Sequence, residues 1–346
     1  MSKQKYLIFY SLLIFSLIII SCRNNRRNPD VSGIKVNKVA IVRFDRELFQ
    51  ADTAHWAAAM ASLYKKYPAI LEVFTEQVMR FGIPDKPKAI IGLKNYISNK
   101  NTREVFNDCQ KIFPDMNKEE GALTEAFRHI KYYYPNDTLP HVFTVMSFFS
   151  TLSAFTYENE VGISLDMYMG ANYHIYDSLP DYPDYIKQRF TREYIVPDVV
   201  KTIFEKKYDY DKMTDQTLLS QAIYLGKQLY FLDLITPAMP DTLKIGYTKD
   251  QLKWCNDNAG YIWNHLVTDE LLYNTKGTRN DKYLKDAPFT NDADVPRESS
   301  PRLGEWVGWQ IVRQYMDNNP DITPQQLFED KDYKKILTLS KYRPKI

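Results

Sequence analysis

The sequence predicts an α+β fold, helix-dominated, with a small β-sheet near the middle of the chain. Three observations predict it. Apolar residues recur at three-and-four spacing on both sides of residues 141–165, as in Phe74-Val78-Phe81 and Leu123-Phe127-Ile130. Between those helical stretches stand short β-branched and aromatic runs with a turn signal. Finally, 12 glycines against 18 prolines in 346 residues are too few for propellers or long β-meanders.

The N-terminus reads as a targeting segment. Lys3 and Lys5 are the only charges before Cys22, and an apolar run from Tyr6 to Ile20 is interrupted only by Ser11 and Ser16. Fifteen residues suit the core of a secretory signal better than a membrane span. The segment ends Ile19-Ile20-Ser21-Cys22, a small residue before a cysteine, which resembles a bacterial lipobox. The expected division is therefore a signal peptide over 1–21, a flexible tether over 22–36 and one domain over 37–346. Cys22 is the expected lipid anchor, bearing palmitate-type acyl chains; the competing reading is an uncleaved signal anchor with an incidental cysteine. The tether, Arg23-Asn24-Asn25-Arg26-Arg27-Asn28-Pro29 and onward, is polar and aperiodic.

Within the domain, Lys38 to Asp45 reads as an opening strand. Helical pattern follows from Glu47 to Tyr134, broken at Pro68, Gly82-Ile83-Pro84, Pro87 and Pro114. His141–Ser147, Ser153–Tyr157 and Val161–Leu165 read as strands, the last two as a hairpin turning at Glu158-Asn159-Glu160. Pro197 suits the first turn of a helix whose buried stripe is Val199, Val200, Ile203 and Phe204. A second helix is expected from Thr214-Asp215 through Leu229, and a third from Thr248 through Leu266. Residues 276–300 read as a long polar loop. Ser299-Ser300-Pro301 would then cap a helix lined by Leu303, Trp306, Val307, Ile311 and Tyr315.

Charge and motif set limits on function. Removing residues 1–21 takes away two lysines and no acids, leaving 43 basic and 43 acidic residues. A nucleic-acid partner is not expected from that balance. Cys109 and Cys255 are either an oxidised pair or two inert buried thiols. None of the five histidines has another four positions on, so no helix offers a zinc pair. Gly162-Ile163-Ser164-Leu165-Asp166 lacks the final glycine of a nucleophile elbow, and Gly226-Lys227 lacks the other residues of a phosphate loop. Asn291-Asp292-Ala293-Asp294 lacks the glycine and distal glutamate of a calcium loop. No catalytic residue, metal or cofactor is expected.

Two stretches carry a family resemblance. They are Leu165-Asp166-Met167-Tyr168-Met169-Gly170, and Pro288-Phe289-Thr290 with Ser300 through Met316. Together with Arg43-Phe44-Asp45, Gly226-Lys227 and Leu252-Lys253-Trp254-Cys255, they resemble the gliding-motility lipoprotein family GldB over residues 37–338. The resemblance implies an envelope lipoprotein needed for surface motility, associated with type IX secretion proteins and facing the periplasm at the outer membrane. A more distant resemblance in element order is to zincin-like peptidases, whose metal helices would fall near Val196–Lys206 and Gln221–Tyr230. Neither segment holds a histidine. The fold would then be zincin-like with a degenerate metal site, a pseudo-enzyme; a metallopeptidase with other ligands and a peptide- or peptidoglycan-binding lipoprotein are the alternatives.

One further feature stands apart from family. Gly304 and Gly308 lie four apart on one helix face, each costing about 1 kcal/mol against alanine. With Pro301, Arg302, Trp306 and Trp309 they mark either a tight packing face or the wall of a binding groove, with Trp309 partly exposed.

Overall fold

The computed structural model describes residues 26–150, 152–210 and 213–345. Cys22 and residues 1–21 lie outside the described residues. One mixed sheet holds four strands, β1 (Ile41–Val42), β2 (His141–Val145), β3 (Ala154–Tyr157) and β4 (Glu160–Ser164), in the order β1-β2-β4-β3. β1 and β2 are parallel, as are β2 and β4, while β3 runs antiparallel to β4 with Ala154 opposite Ile163 and Tyr157 opposite Glu160. The expected hairpin therefore forms, turning through Glu158 at φ +45°. β2, between two parallel neighbours, is buried from Val142 to Val145, as a run without alternation should be.

The opening strand is shorter than its sequence suggests. Pairing covers Ile41 and Val42 only, because α1 (Phe44–Phe49) begins at once. Asp45, in its first turn, is buried and accepts from Arg43 Nε at 2.9 Å, Gln110 Nε2 at 3.0 Å and Thr144 Oγ1 at 2.5 Å. That carboxylate clips α1 to β2, so the Arg43-Phe44-Asp45 motif is structural.

Helices precede the sheet and follow it. The first group is α2 (Trp56–Lys66), α3 (Pro68–Val73), α4 (Pro87–Ser98), α5 (Lys100–Ile112) and α6 (Asn117–Tyr133). Pro68 and Pro87 do interrupt the helical pattern, and each opens the next helix at its first turn. After the short α7 (Asp184–Lys187) come α8 (Ile195–Lys207), α9 (Leu218–Ile235), α10 (Asp241–Ile245), α11 (Lys249–Asp257) and α12 (Ala259–Thr268). The chain ends in α13 (Gly277–Leu284), α14 (Leu303–Asn318), α15 (Pro324–Glu329) and α16 (Tyr333–Ser340).

α9 is the central helix. Every residue from Leu218 to Ile235 except Leu225 is buried, the mark of a helix enclosed on all sides. It starts at Leu218, later than Thr214-Asp215 suggested, because the Thr217 hydroxyl accepts from Ser220 N and caps it there. α14 crosses it in backbone contact. A Cβ on Gly226 would overlap the Gly308 backbone, and one on Gly308 would overlap the Ala222 carbonyl.

Four other expectations need correction. Residues 276–300 are not all loop: α13 forms there, burying Asn280 and Tyr283, and the Asn280 amide donates to the carbonyls of Gln216 and Asn274. The helix after Thr248 is two helices, parted at Asn258, whose side chain turns back to the Trp254 carbonyl. Ser299 and Ser300 do not cap α14. Arg302 holds the N-cap position at φ +52°, while Ser300 Oγ donates to the Gln251 carbonyl. The expected tether is docked from Arg26 on: Arg26 Nη1 donates to the Met316 carbonyl at 2.8 Å, its own carbonyl accepts from Tyr133 Oη at 2.9 Å, and Val31 is buried.

Cys109 and Cys255 are both free and buried. Burial raises both thiols, Cys255 to about 12, so neither is a reactive thiolate.

Candidate functional site

α8 carries two stripes. Val199, Val200 and Phe204 face the core, as the spacing predicts. On the opposite face Asp198, Lys201, Thr202 and Glu205 fall at i, i+3, i+4 and i+7. They line a cavity of about 260 Å³ with Ser153 and Ala154 at the start of β3 and with Arg189 and Tyr194. The sheet edge positions one wall and the helix the other.

The electrostatics of that cavity are unbalanced. Tyr168 Oη donates to Asp198 Oδ2 at 2.9 Å. Burial nevertheless raises the Asp198 carboxyl above its ordinary value, against the pull of Lys201 and the tyrosine bond. Burial also lowers the Lys201 ammonium, opposed by Asp198 and Glu305. Glu205 is exposed and accepts from Gln228 Nε2 at 2.8 Å. Lys201 itself makes no hydrogen bond or ion pair within the described residues. Asp198 and Lys201 are half-buried, and the area they leave open faces the cavity.

Behind this stripe the charges are matched. Arg302 Nη1 donates to Glu305 Oε2 at 2.6 Å, and Nη2 donates to the Ile245 carbonyl at 2.7 Å. Its Nε lies 3.0 Å from Asp286 Oδ1, and Asp286 Oδ2 pairs with Arg189 at 2.5 Å. Asp166 is buried too. It accepts from Ser147 N at 2.8 Å and Phe149 N at 2.5 Å, holding a loop in which Phe148 and Phe149 both have positive φ. The Leu165–Gly170 motif therefore has two duties: Asp166 fixes the loop between β2 and β3, and Tyr168 reaches the α8 stripe.

With that geometry in place, comparison with known families is decisive. The family model described as gliding motility protein GldB matches residues 24–344. The chain belongs to the GldB family. No curated protein and no solved structure matches it. The GldB match takes in the sheet, the α8 stripe and the α9–α14 crossing alike.

The residues singled out from sequence in this GldB chain divide between two places. Arg302 lies among the charges that act on Lys201. Gly308 sits in the α9–α14 crossing, and a Cβ on Gly304 would come within 3.0 Å of the Tyr283 carbonyl of α13. Pro301 is buried, its carbonyl taking the Tyr247 hydroxyl. Trp306 and Trp309 are 2% and 0% exposed, so the expected partial exposure of Trp309 is wrong and neither ring lines an open groove. Trp309 Nε1 donates to Asp233 Oδ2 at 3.0 Å, and Arg313 stacks 3.7 Å over its ring. Asp233 also binds Lys244 at 2.9 Å and Arg313 at 2.7 Å. The α8 stripe was missed from sequence, and its signal was there: four polar residues at helical spacing opposite an apolar stripe.

The donor set at α8 suits polar binding. It pairs an ammonium with two carboxylates and a hydroxyl beside a strand edge, in a volume large enough for one side chain. Among the described residues, no group of three or more His, Cys, Asp or Glu side chains gathers to hold a metal ion.

Proposed function

We propose that this protein is a non-enzymatic envelope lipoprotein of the gliding apparatus, coupled to type IX secretion and anchored by lipid on Cys22 at the periplasmic face of the outer membrane. The observation that carries the reading is the GldB match over residues 24–344, joined to the Ser21-Cys22 boundary that ends the apolar run. Among the described residues no helix is long and apolar enough to cross a membrane. A lipid on Cys22 supplies the attachment such a body needs, given the several acyl chains a stable anchor requires.

Lys201 supports a binding role over hydrolysis. Zinc hydrolysis needs three protein ligands and a general base. Along α8 the carboxylates of Asp198 and Glu205 stand on either side of an ammonium that repels a metal ion. The site instead offers charged side chains and outward-turned main chain. Ser164 N bonds Ser153 O at 2.9 Å, so in the alternating antiparallel pattern Ala154 and Thr156 turn their N–H and C=O groups off the sheet edge. An extended peptide segment of another motility or secretion protein fits there as an added strand, with a polar side chain placed between Asp198 and Lys201.

Two experiments in the native cell test this. Cys22→Ala releases the protein from membranes or leaves it at precursor size; unchanged size and unchanged tight membrane association contradict the anchor. Deleting the gene abolishes surface spreading or secretion, and wild-type spreading and secretion in the deletion strain contradict the role.

A further inference from the structure

The free polar atoms in the α8 cavity select among side chains. Its lining carries two cations and two anions, Arg189 and Lys201 against Asp198 and Glu205. Arg189 is already paired with Asp286, and Glu205 is bonded to Gln228. That leaves Asp198 and Lys201, three positions apart on one helix face. No ion pair joins them, and Lys201 Nζ makes no hydrogen bond within the described residues. Tyr168 Oη donates to Asp198 Oδ2, so Asp198 Oδ1 is unbonded too. Neither atom is sealed off: each keeps solvent-accessible surface, in a half-buried residue that lines the cavity.

A donor and an acceptor are thus presented together, with a gap between them, to one small volume. A ligand carboxylate would answer Lys201 and meet Asp198. A ligand ammonium would answer Asp198 and meet Lys201 and Arg189. Like charges brought together at an interface are strongly unfavourable. A carboxamide brings no net charge: its oxygen accepts from the ammonium while its NH2 donates to the carboxylate, from two atoms of one planar group. Burial points the same way. It disfavours the charged form of both residues, so a third charge is worse placed between them than a neutral dipole. We propose that the cavity takes an Asn or Gln side chain of the added segment, its carboxamide bridging Lys201 Nζ and Asp198 Oδ1. The inference rests on the strand addition proposed at β3 for how that side chain is delivered, though not for the chemistry of the cavity. Ser153 and Ala154 line the same cavity, so a residue paired at the start of β3 lies beside it.

Fluorescence anisotropy on the native chain, in non-ionic detergent, compares labelled pentapeptides Thr-Val-X-Val-Thr. Each ends in an N-methylamide, so that no terminal carboxamide competes, and X is Asn, Gln, Asp, Lys or Leu. The better of Asn and Gln is expected to bind about tenfold or more tighter than Leu, the usual scale for leaving buried polar groups unanswered. It should exceed Asp and Lys by at least as much. The single variants should switch the order. Lys201→Met keeps the carboxylate and should favour Lys at X, and Asp198→Ala keeps the ammonium and should favour Asp. Wild type that prefers Asp or Lys overturns the proposal, as does a variant that keeps the wild-type order or weakens all five peptides alike. Five equal affinities overturn it while leaving strand addition in place, and binding of none of the five overturns both. Should either variant fail to fold, the wild-type series still decides.

Discussion

The α9–α14 crossing and the α8 stripe hold similar groups and treat them in opposite ways. In the crossing Asp233 is shared by Arg313, Lys244 and the Trp309 indole, and Arg313 reaches on to Asp241 at 2.7 Å; Lys227, beside Gly226, is the exception, its ammonium lowered by burial to about 8 while it donates to the Asp330 carbonyl. The two helices meet without space for a methyl group. At α8 an ammonium and two carboxylates face a cavity, and burial pushes Lys201 and Asp198 toward their neutral forms. Matched charges in close contact hold a scaffold together, whereas charges left partly unanswered beside an open volume await a partner. The Pro301–Met316 run, the most recognisable stretch of the sequence, belongs to the scaffold.

Gly308→Leu should break the contrast most severely. Its side chain meets the Ala222 carbonyl, and backbone cannot rotate aside as a side chain can. Overpacking typically costs about 1–3 kcal/mol, and this contact should exceed that range, giving insoluble protein or a much lower melting temperature. A Gly308→Leu protein that melts like wild type would show that the crossing is open.

Asp233→Ala comes next. It removes the buried carboxylate shared by Arg313 and Lys244 and leaves them only the more exposed Asp241, a change that costs up to about 3–5 kcal/mol in chemical denaturation. The same carboxylate gives a pH test. Burial alone would raise it, but Arg313 and Lys244 outweigh burial and hold it below its ordinary value of 3.8. A depressed folded-state value means that its stabilisation is present above pH 3.8 and is lost as pH falls through the folded value. Wild type should lose stability steeply in that window, and Asp233→Asn should fall less steeply. Parallel curves would remove Asp233 from the account.

At α8 the expected sign reverses. The double variant Asp198→Asn with Lys201→Met removes two groups that burial disfavours in their charged forms. Its stability should equal or exceed that of wild type, because no ion pair is lost and burial disfavours both charges. A loss of stability would place the stripe with the scaffold. The smallest effect is expected from Arg26→Ala. The docked N-terminal segment should come loose to proteolysis at a cost of about 1 kcal/mol, since the arginine is only half-buried.

What could be read from sequence follows the physics of each signal. The hairpin was legible because Glu158-Asn159 separates two β-branched runs, and α8 because Val199, Val200 and Phe204 keep helical spacing. α13 was not legible, for its buried face is built on Asn280 and Tyr283, and asparagine in a polar stretch signals a loop. Gly308 announced a close approach without saying to what. Its partner Gly226 lies in another helix and reads as an ordinary helical position. The burial of Trp309 depends on Asp233, 76 positions away, a distance no local pattern spans. The polar face of α8 looks like any solvated helix face until the start of β3 and Tyr168 close over it.

The central claim is that α8, and not the tryptophan-bearing helix, carries the function. The most direct measurement is surface spreading and type IX secretion by cells whose only copy is the Asp198→Asn, Lys201→Met double variant, with the melting temperature of the same protein purified. Lost spreading or secretion with an unchanged or raised melting temperature is the predicted result. Wild-type spreading and secretion from a stably folded double variant would contradict it.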